Sequence, residues 1–291
     1  SPASRPPGPC SDPDGNVELR RHLRTRRNVG AVSEPGNQVS TATAAVVGVA
    51  AGALGGLFGV GGGLVIVPGL VSIAGMDRRL AHGTSLAATL PIATASLITY
   101  LAHGNVDWPV ALFLATGAIV GAIVGTQLLK VIPKRLLTII FVVTVLATAT
   151  RLFLGTDTTG RDDLTAWMAL LLVAIGFLTG TLAGLLGIGG GVIMVPAMVV
   201  LLGEVPVVAK GTSVAVIVPT AIMGTIRNRR HANADIRVAA VVGLCGVVSA
   251  VIGGTVADRL SDDVSNVMFA ALLLFVAATQ ALSLRSPRTA E

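Results

Sequence analysis

Five stretches of this chain, residues 109–129, 136–150, 164–203, 238–257 and 264–284, contain no Asp, Glu, Lys, Arg or His. A helix needs about 20 mainly apolar residues to cross roughly 30 Å of hydrocarbon. Buried strands of an α/β fold run only about 4–8 residues. Runs this long and this numerous therefore read as helices whose solvent is lipid. Composition agrees: 12% of the 291 residues are charged, 53% are hydrophobic and the mean hydropathy is +0.80. A soluble domain carries about 25% charged residues. An ordinary soluble enzyme, a disordered chain and a disulfide scaffold are all excluded. The expected fold class is an all-α polytopic membrane protein, with the lipid bilayer as its partner.

The scarce charges are unevenly placed. Net charge is +6 and the pI about 10.3, which in a soluble chain would raise nucleic-acid binding. Here the basic run Arg20-Arg21-His22-Leu23-Arg24-Thr25-Arg26-Arg27 has no aromatic residue interleaved to stack a base. It reads as a positive-inside tail, cytoplasmic by that rule, and no nucleic-acid partner is expected. Residues 1–40 lack apolar periodicity and are expected to be disordered. No cleavable signal peptide fits, because the basic region leads into a glycine-rich run that continues to Gly75. Cys10 lies in the polar tail and Cys245 in an apolar run. They suggest neither a bridge nor a metal site, and no cofactor is implied.

The rest of the chain is a tandem repeat. Shifted by 128 residues it aligns on itself without a gap. Gly56-Leu57-Phe58-Gly59-Val60-Gly61-Gly62-Gly63 falls on Gly184-Leu185-Leu186-Gly187-Ile188-Gly189-Gly190-Gly191. Pro68 falls on Pro196, Gly83-Thr84-Ser85 on Gly211-Thr212-Ser213 and Pro91 on Pro219. His103, Asn105 and Asp107 fall on His231, Asn233 and Asp235. Duplicated halves are a mark of secondary transporters. We divide the chain into a tail (1–40), a first repeat (41–160), a second repeat (161–285) and a short C-terminal tail (286–291).

Each half has four apolar segments, at 42–75, 84–101, 109–129 and 136–154, then 166–203, 211–226, 238–257 and 264–284. The first of each is too long for one span: residues 42–75 as one helix would reach about 51 Å. Its middle holds the glycine cluster, and each glycine costs about 1 kcal/mol in a helix interior. A broken or re-entrant helix is expected, with freed backbone lining a cavity. If each first segment dips in and returns, the tail, 76–83, 130–135, 227–237 and the C-terminus share one side. That side then holds most of the Lys and Arg, more than if the segment simply crosses. The positive-inside rule favours the hairpin, which makes the halves inverted repeats.

Several residues are candidates for chemistry. Gly59-Val60-Gly61-Gly62-Gly63 is no dinucleotide fingerprint, since the third glycine would fall on Leu64, and no P-loop Lys-Ser/Thr follows it. Gly59, Gly61, Gly62 and Gly63, with Gly187, Gly189, Gly190 and Gly191, would instead expose backbone N–H groups at half-helix N-termini, where anions bind. Close helix packing or a tight bend is the alternative. Thr84, Ser85, Thr212 and Ser213 open the second segments, where they could cap a helix, ligate an oxyanion, or both. His82 and Lys210 are equivalent positions that place a cation beside that site, or snorkel at the interface. His82, His103 and His231 are the candidate proton-coupling groups. For the two loop histidines the alternative is a local turn with Asn and Asp. Gly117, Gly121 and Gly125 have small-xxx-small spacing, as do their equivalents Cys245, Ser249 and Gly253, and read as helix packing. Trp108 and Trp167 fit interfacial anchors.

No Asp or Glu lies inside any apolar segment; all fifteen sit in tails or at segment edges. Cation-coupled carriers commonly bury a carboxylate. Backbone N–H groups and hydroxyls without a buried acid suit a small anionic substrate better.

At the duplicated G-x-G-G-G-x-x-x-V-P motif, Gly59 to Pro68 and Gly187 to Pro196, the chain resembles the TauE/SafE family of membrane transporters. Ala81-His82-Gly83-Thr84-Ser85, Ala209-Lys210-Gly211-Thr212-Ser213 and the loop before Asp107-Trp108 carry the resemblance further. It covers about residues 42–284. It implies a multi-pass carrier of the bacterial plasma membrane for small sulfur oxyanions or organosulfonates such as sulfite or sulfoacetate, and offers no catalytic residues. The basic tail departs from the family pattern. The expected function is secondary transport of such an anion by alternating access between the halves. An anion channel is the alternative. An intramembrane hydrolase is disfavoured because there is no G-x-S-x-G and the histidines after the tail stand near segment ends.

Overall fold

The computed structural model describes residues 39–128, 165–186, 189–230 and 234–261, and parts of 264–278. Every regular element among them is helical. In the first half these are α1 (Thr41–Phe58), α2 (Gly63–Pro68, continued by a π-helical turn over Gly69–Ile73), α3 (Arg78–Ala102) and α4 (Trp108–Leu128). The second half has α5 (Ala166–Leu186), α6 (Gly191–Leu202), α7 (Pro206–Arg230) and α8 (Ile236–Arg259). The expected fourth segment of the first half, 136–154, lies outside the described residues, and that of the second half is described only in part. Among the described residues six helices, α1, α3, α4, α5, α7 and α8, are long and apolar enough to cross a membrane.

The long first segments are broken where the glycines predicted. α1 ends on Gly59 at φ 68°, and α2 begins after Gly62 at φ 80°; Gly190 before α6 has φ 74°. This left-handed conformation costs a residue with a Cβ about 1–2 kcal/mol, so glycine here stops one helix and redirects the next. The chain then doubles back. A Cβ placed on Gly62 would lie 2.7 Å from the Ala51 carbonyl oxygen, and one on Gly69 2.9 Å from Val47. Contacts that fall back along α1 as α2 advances describe an antiparallel hairpin. Met76, Ala44 and Val47 share one apolar cluster, so the start of α3 lies near the start of α1. In the second half α6 returns along α5, with Gly190 near Thr179 and Ala183, and Met198 beside Met168 and Leu172.

Packing between the halves follows small residues. A Cβ on Gly48, Gly52 or Gly56 of α1 would run into the carbonyl oxygens of Val242, Gly246 and Ala250 of α8. The equivalents Gly176, Gly180 and Gly184 of α5 face Leu114, Ala118 and Ala122 of α4 in the same way. Gly117, Gly121 and Gly125 answer from α4, against Val173, Phe177 and Thr181, as their spacing predicted. In lipid, helices associate through such close backbone approach rather than by hiding apolar surface. It also permits Cα–H···O contacts worth roughly 0.5–1 kcal/mol each. In both pairs residue numbers rise together, so the helices are parallel, and each joins the first segment of one half to the third of the other. The equivalent helices α3 and α7 run antiparallel, with Gly211 against Tyr100 and Gly224 against Leu86. The halves are therefore inverted repeats wound into each other.

The radial pattern is that of a membrane protein. Leu244, Val248 and Phe275 are each more than 65% exposed, whereas Thr84, Ser85, Thr89, Ser96, Thr212 and Ser213 are fully buried. Trp108 and Trp167 are exposed at helix starts.

Candidate functional site

The two glycine breaks meet at the centre of the fold. A Cβ on Gly191 would sit 2.6 Å from the Gly59 carbonyl oxygen and 2.9 Å from Val60 Cα; one on Gly189 would lie 3.1 Å from the Val60 carbonyl oxygen. Two side chains converge on this junction. Thr89 Cγ2 and Ile217 Cγ2 stand 3.0 and 3.1 Å from a Cβ on Gly61, and both are 3.9 Å from one on Gly189. Thr89 is at mid-length of α3, and Ile217 is its repeat equivalent on α7. Both are fully buried.

The backbone supplies the electrostatics. In α2 the first intrahelical bonds are donated by Val65 and Ile66 to the Gly62 carbonyl; in α6 they are donated by Ile193 and Met194 to that of Gly190. Earlier amides have no intrahelical acceptor, as at any helix start, and no side chain caps either end. Each N-terminus carries roughly half a positive charge. The start of α6 thus packs on the Gly59–Val60 backbone that leads into α2, and the described glycines of both breaks are buried.

The sequence candidates divide around this junction. Gly59, Gly61, Gly62, Gly63, Gly189, Gly190 and Gly191 form it; Gly187 lies outside the described residues. Ser213 anchors it, its hydroxyl donating to the Gly59 carbonyl oxygen at 2.5 Å and to that of Lys210 at 2.8 Å. Ser85, its equivalent, is fully buried. Thr84 and Thr212 do not open their helices, because α3 begins at Arg78 and α7 at Pro206. The expected capping role is thereby corrected: Thr84 Oγ1 accepts from the Asp235 amide and Thr212 Oγ1 from the Asp107 amide, both at 2.9 Å. Each half thus holds the loop of the other. Asp107 and Asp235 cap α4 and α8 in turn, accepting from Val110 and from Arg237 and Val238.

Lys210 is 1% exposed. Its backbone packs on Gly59, while its ammonium donates to Ser265 Oγ and stands 5.9 Å from the centre of the Phe58 ring. The charge expected beside the glycines is present, held to one side of them. His82 is half-buried in the second turn of α3. His103 lies at the other end of α3, its Nδ1 2.7 Å from the Thr99 carbonyl oxygen and its Nε2 3.7 Å from Asp258. Asn105 donates to the same carboxylate at 2.6 Å. His103 is thus part of a loop clamp, about 20 Å along α3 from Thr89 at helical rise. His231 lies outside the described residues.

Sequence reasoning missed Thr89, which no motif marks and whose repeat equivalent is an isoleucine. It also missed Glu204, placed at a segment edge but 6% exposed in the turn between α6 and α7. An acid buried by tertiary packing of a turn leaves no trace in an apolar run.

Residues 19–152 and 171–291 match the sequence pattern of the family described as Sulfite exporter TauE/SafE, and the match takes in the basic run of residues 20–27, which was expected to lie outside the family pattern. A probable membrane transporter protein, YunE, of Bacillus subtilis is 30% identical over 205 residues, covering 62% of this chain and 75% of that protein. A probable membrane transporter protein of Xylella fastidiosa is 28% identical over 229 residues, 77% of this chain and 85% of its own. In Arabidopsis thaliana, Sulfite exporter TauE/SafE family protein 3 is 30% identical over 128 residues, 41% of this chain and 27% of that one. No solved structure matches. With a match across both repeats, inverted halves and a shared central junction, the chain belongs to the TauE/SafE family of multi-pass membrane transporter proteins.

Proposed function

We propose that this protein carries a small anion of the sulfur oxyanion or organosulfonate class across the bacterial plasma membrane, with its basic tail on the cytoplasmic side. The observation that carries the reading is the meeting of two buried glycine breaks in an inverted repeat, each leading into a half-helix whose N-terminus no side chain caps. Such ends favour anions, and transporters of inverted-repeat architecture bind substrate there. The amides of Gly61 to Gly63 and Gly189 to Gly191 bind the anion, and Lys210 adds positive potential from beside Gly59. Ser213 holds the first break in place, and Thr84 and Thr212 couple each half to the loop of the other.

Alternating access then rests on two equivalent hinges. Pro91 and Pro219 lie inside α3 and α7, two residues beyond Thr89 and Ile217. Each lacks an N–H and leaves the carbonyl four residues earlier, Ala87 or Ala215, without its helical donor. Bending there opens the junction to one side at a time. The full burial of Thr89 and Ile217 favours an occluded carrier over an open pore. The family likeness is the ground for the substrate class.

Purified protein in proteoliposomes, offered sulfite, thiosulfate, sulfoacetate and sulfate, is the test. Saturable flux of at least one sulfur anion, lost in Gly62→Val and Gly190→Val while membrane insertion persists, is expected. Full flux in both variants would remove the junction from the mechanism, and absence of flux for every anion would reject the substrate class.

A further inference from the structure

Helical hydroxyls in lipid-embedded proteins commonly bond back to the carbonyl four residues earlier. Thr94, Thr99, Thr179, Thr181, Thr220 and Thr255 all do so here. Thr89 does not: its Oγ1 is buried and has no hydrogen-bond partner among the described residues. An unpaired hydroxyl in so dry a place is unfavourable, a cost that a ligand with an acceptor oxygen would remove. It is the methyl of Thr89 that faces the junction, its Cγ2 3.0 Å from a Cβ on Gly61 and 3.9 Å from one on Gly189. The hydroxyl shares Cβ with that methyl, so one χ1 step exchanges them. Ser96 and Thr225 are also unpartnered, but no contact places either at the glycine breaks.

Beside Thr89 stands Ile217, whose Cγ2 and Cδ1 meet Gly61 and Gly191. The repeat thus presents a hydroxyl from one half and a hydrocarbon from the other. An oxygen pressed against Ile217 would lose its water and gain no donor, which is unfavourable. A methyl or methylene there loses nothing.

Building on the junction as the transport site, we propose that Thr89 is its specificity-determining donor and Ile217 its apolar wall. The site therefore prefers an organic oxyanion, with its anionic head on Thr89 and the two amide rows and a short apolar group on Ile217. An inorganic oxyanion, which presents oxygen on every side, fits less well. At this pair the inverted repeat is alike in backbone and unlike in chemistry.

The experiment measures methanesulfonate uptake into proteoliposomes, with unlabelled methanesulfonate or sulfate as competitor. Wild type should prefer methanesulfonate. Thr89→Val should raise its KM roughly ten- to hundred-fold, the effect of losing a hydrogen bond to a charged group, and Thr89→Ser should restore it. Ile217→Thr should narrow the preference over sulfate by about ten-fold, and it carries the test if Thr89→Val is not monodisperse by size exclusion. An unchanged KM in a folded Thr89→Val, an unmoved preference in Ile217→Thr, or sulfate preferred by wild type would each overturn the assignment while leaving anion transport standing. Uptake of neither probe together with no flux of the sulfur anions above would overturn both.

Discussion

Replacing Gly62, Gly190 and Gly104 by alanine, one at a time, separates backbone strain from steric conflict at the hairpin. All three glycines are left-handed, at φ 80°, 74° and 73°, so each alanine carries about 1–2 kcal/mol of conformational cost. Their surroundings differ. A Cβ on Gly104 meets nothing within 4 Å. On Gly190 the nearest atom, at 3.3 Å, is the flexible end of Met194. On Gly62 it is the Ala51 carbonyl oxygen at 2.7 Å, a backbone atom of the facing helix that cannot move alone. Relieving that contact pushes α2 off α1, an overpacking cost of roughly 1–3 kcal/mol. The expected losses are thus about 1–2 kcal/mol for Gly104→Ala and Gly190→Ala and about 2–5 kcal/mol for Gly62→Ala. Unfolding of the detergent-solubilised protein by SDS titration, followed by tryptophan fluorescence, reads these differences. If Gly62→Ala is no less stable than Gly104→Ala, α2 does not double back against Ala51. If Gly104→Ala and Gly190→Ala are both neutral, the breaks are not left-handed.

Cysteines placed at Ser40 and Asp77, on either side of α1 and α2, in a background lacking Cys10 and Cys245 should label from the same face of the membrane; labelling from opposite faces would reject the re-entrant hairpin. Thr84→Val and Thr212→Val should each cost about 1–2 kcal/mol in the same titration, since each strands the amide of Asp235 or Asp107. The two losses should match within error, and a large difference would show that the halves are not clamped symmetrically. Lys210→Met should leave the fold intact, because an apolar chain of similar length fills the space beside Phe58 and a buried charge contributes little net stability. It should weaken anion affinity; unaltered affinity would take Lys210 out of the site.

Much of this architecture is legible in the chain. The long uncharged runs, the shift of 128 and the glycine clusters predict helices, halves and breaks, and α3 and α7, at Arg78–Ala102 and Pro206–Arg230, fall 128 residues apart as the repeat requires. The candidate site was legible in its backbone part, because only glycine adopts φ 80° at little cost. Its side chains were not. Thr84 and Thr212 look like ligands by position beside the motif, yet their hydroxyl oxygens accept from the amides of opposite loops. Thr89, five residues on, reads as an ordinary helical threonine until the fold shows what surrounds it.

Local sequence determined that this protein would be helical, membrane-embedded, duplicated and broken at two glycine clusters. In lipid every backbone polar group must be satisfied within its own helix unless protein or water shields it, so run length and glycine content dictate those outcomes one segment at a time. Tertiary structure alone decided the pairing. The small-residue stripes of α1, α4, α5 and α8 are chemically interchangeable, and nothing within a stripe says that α1 should mate with α8 and α4 with α5. That choice follows from the hairpins, which turn each half over relative to its partner. It brings Thr89 and Ile217, separated by the whole repeat length, against the same glycine.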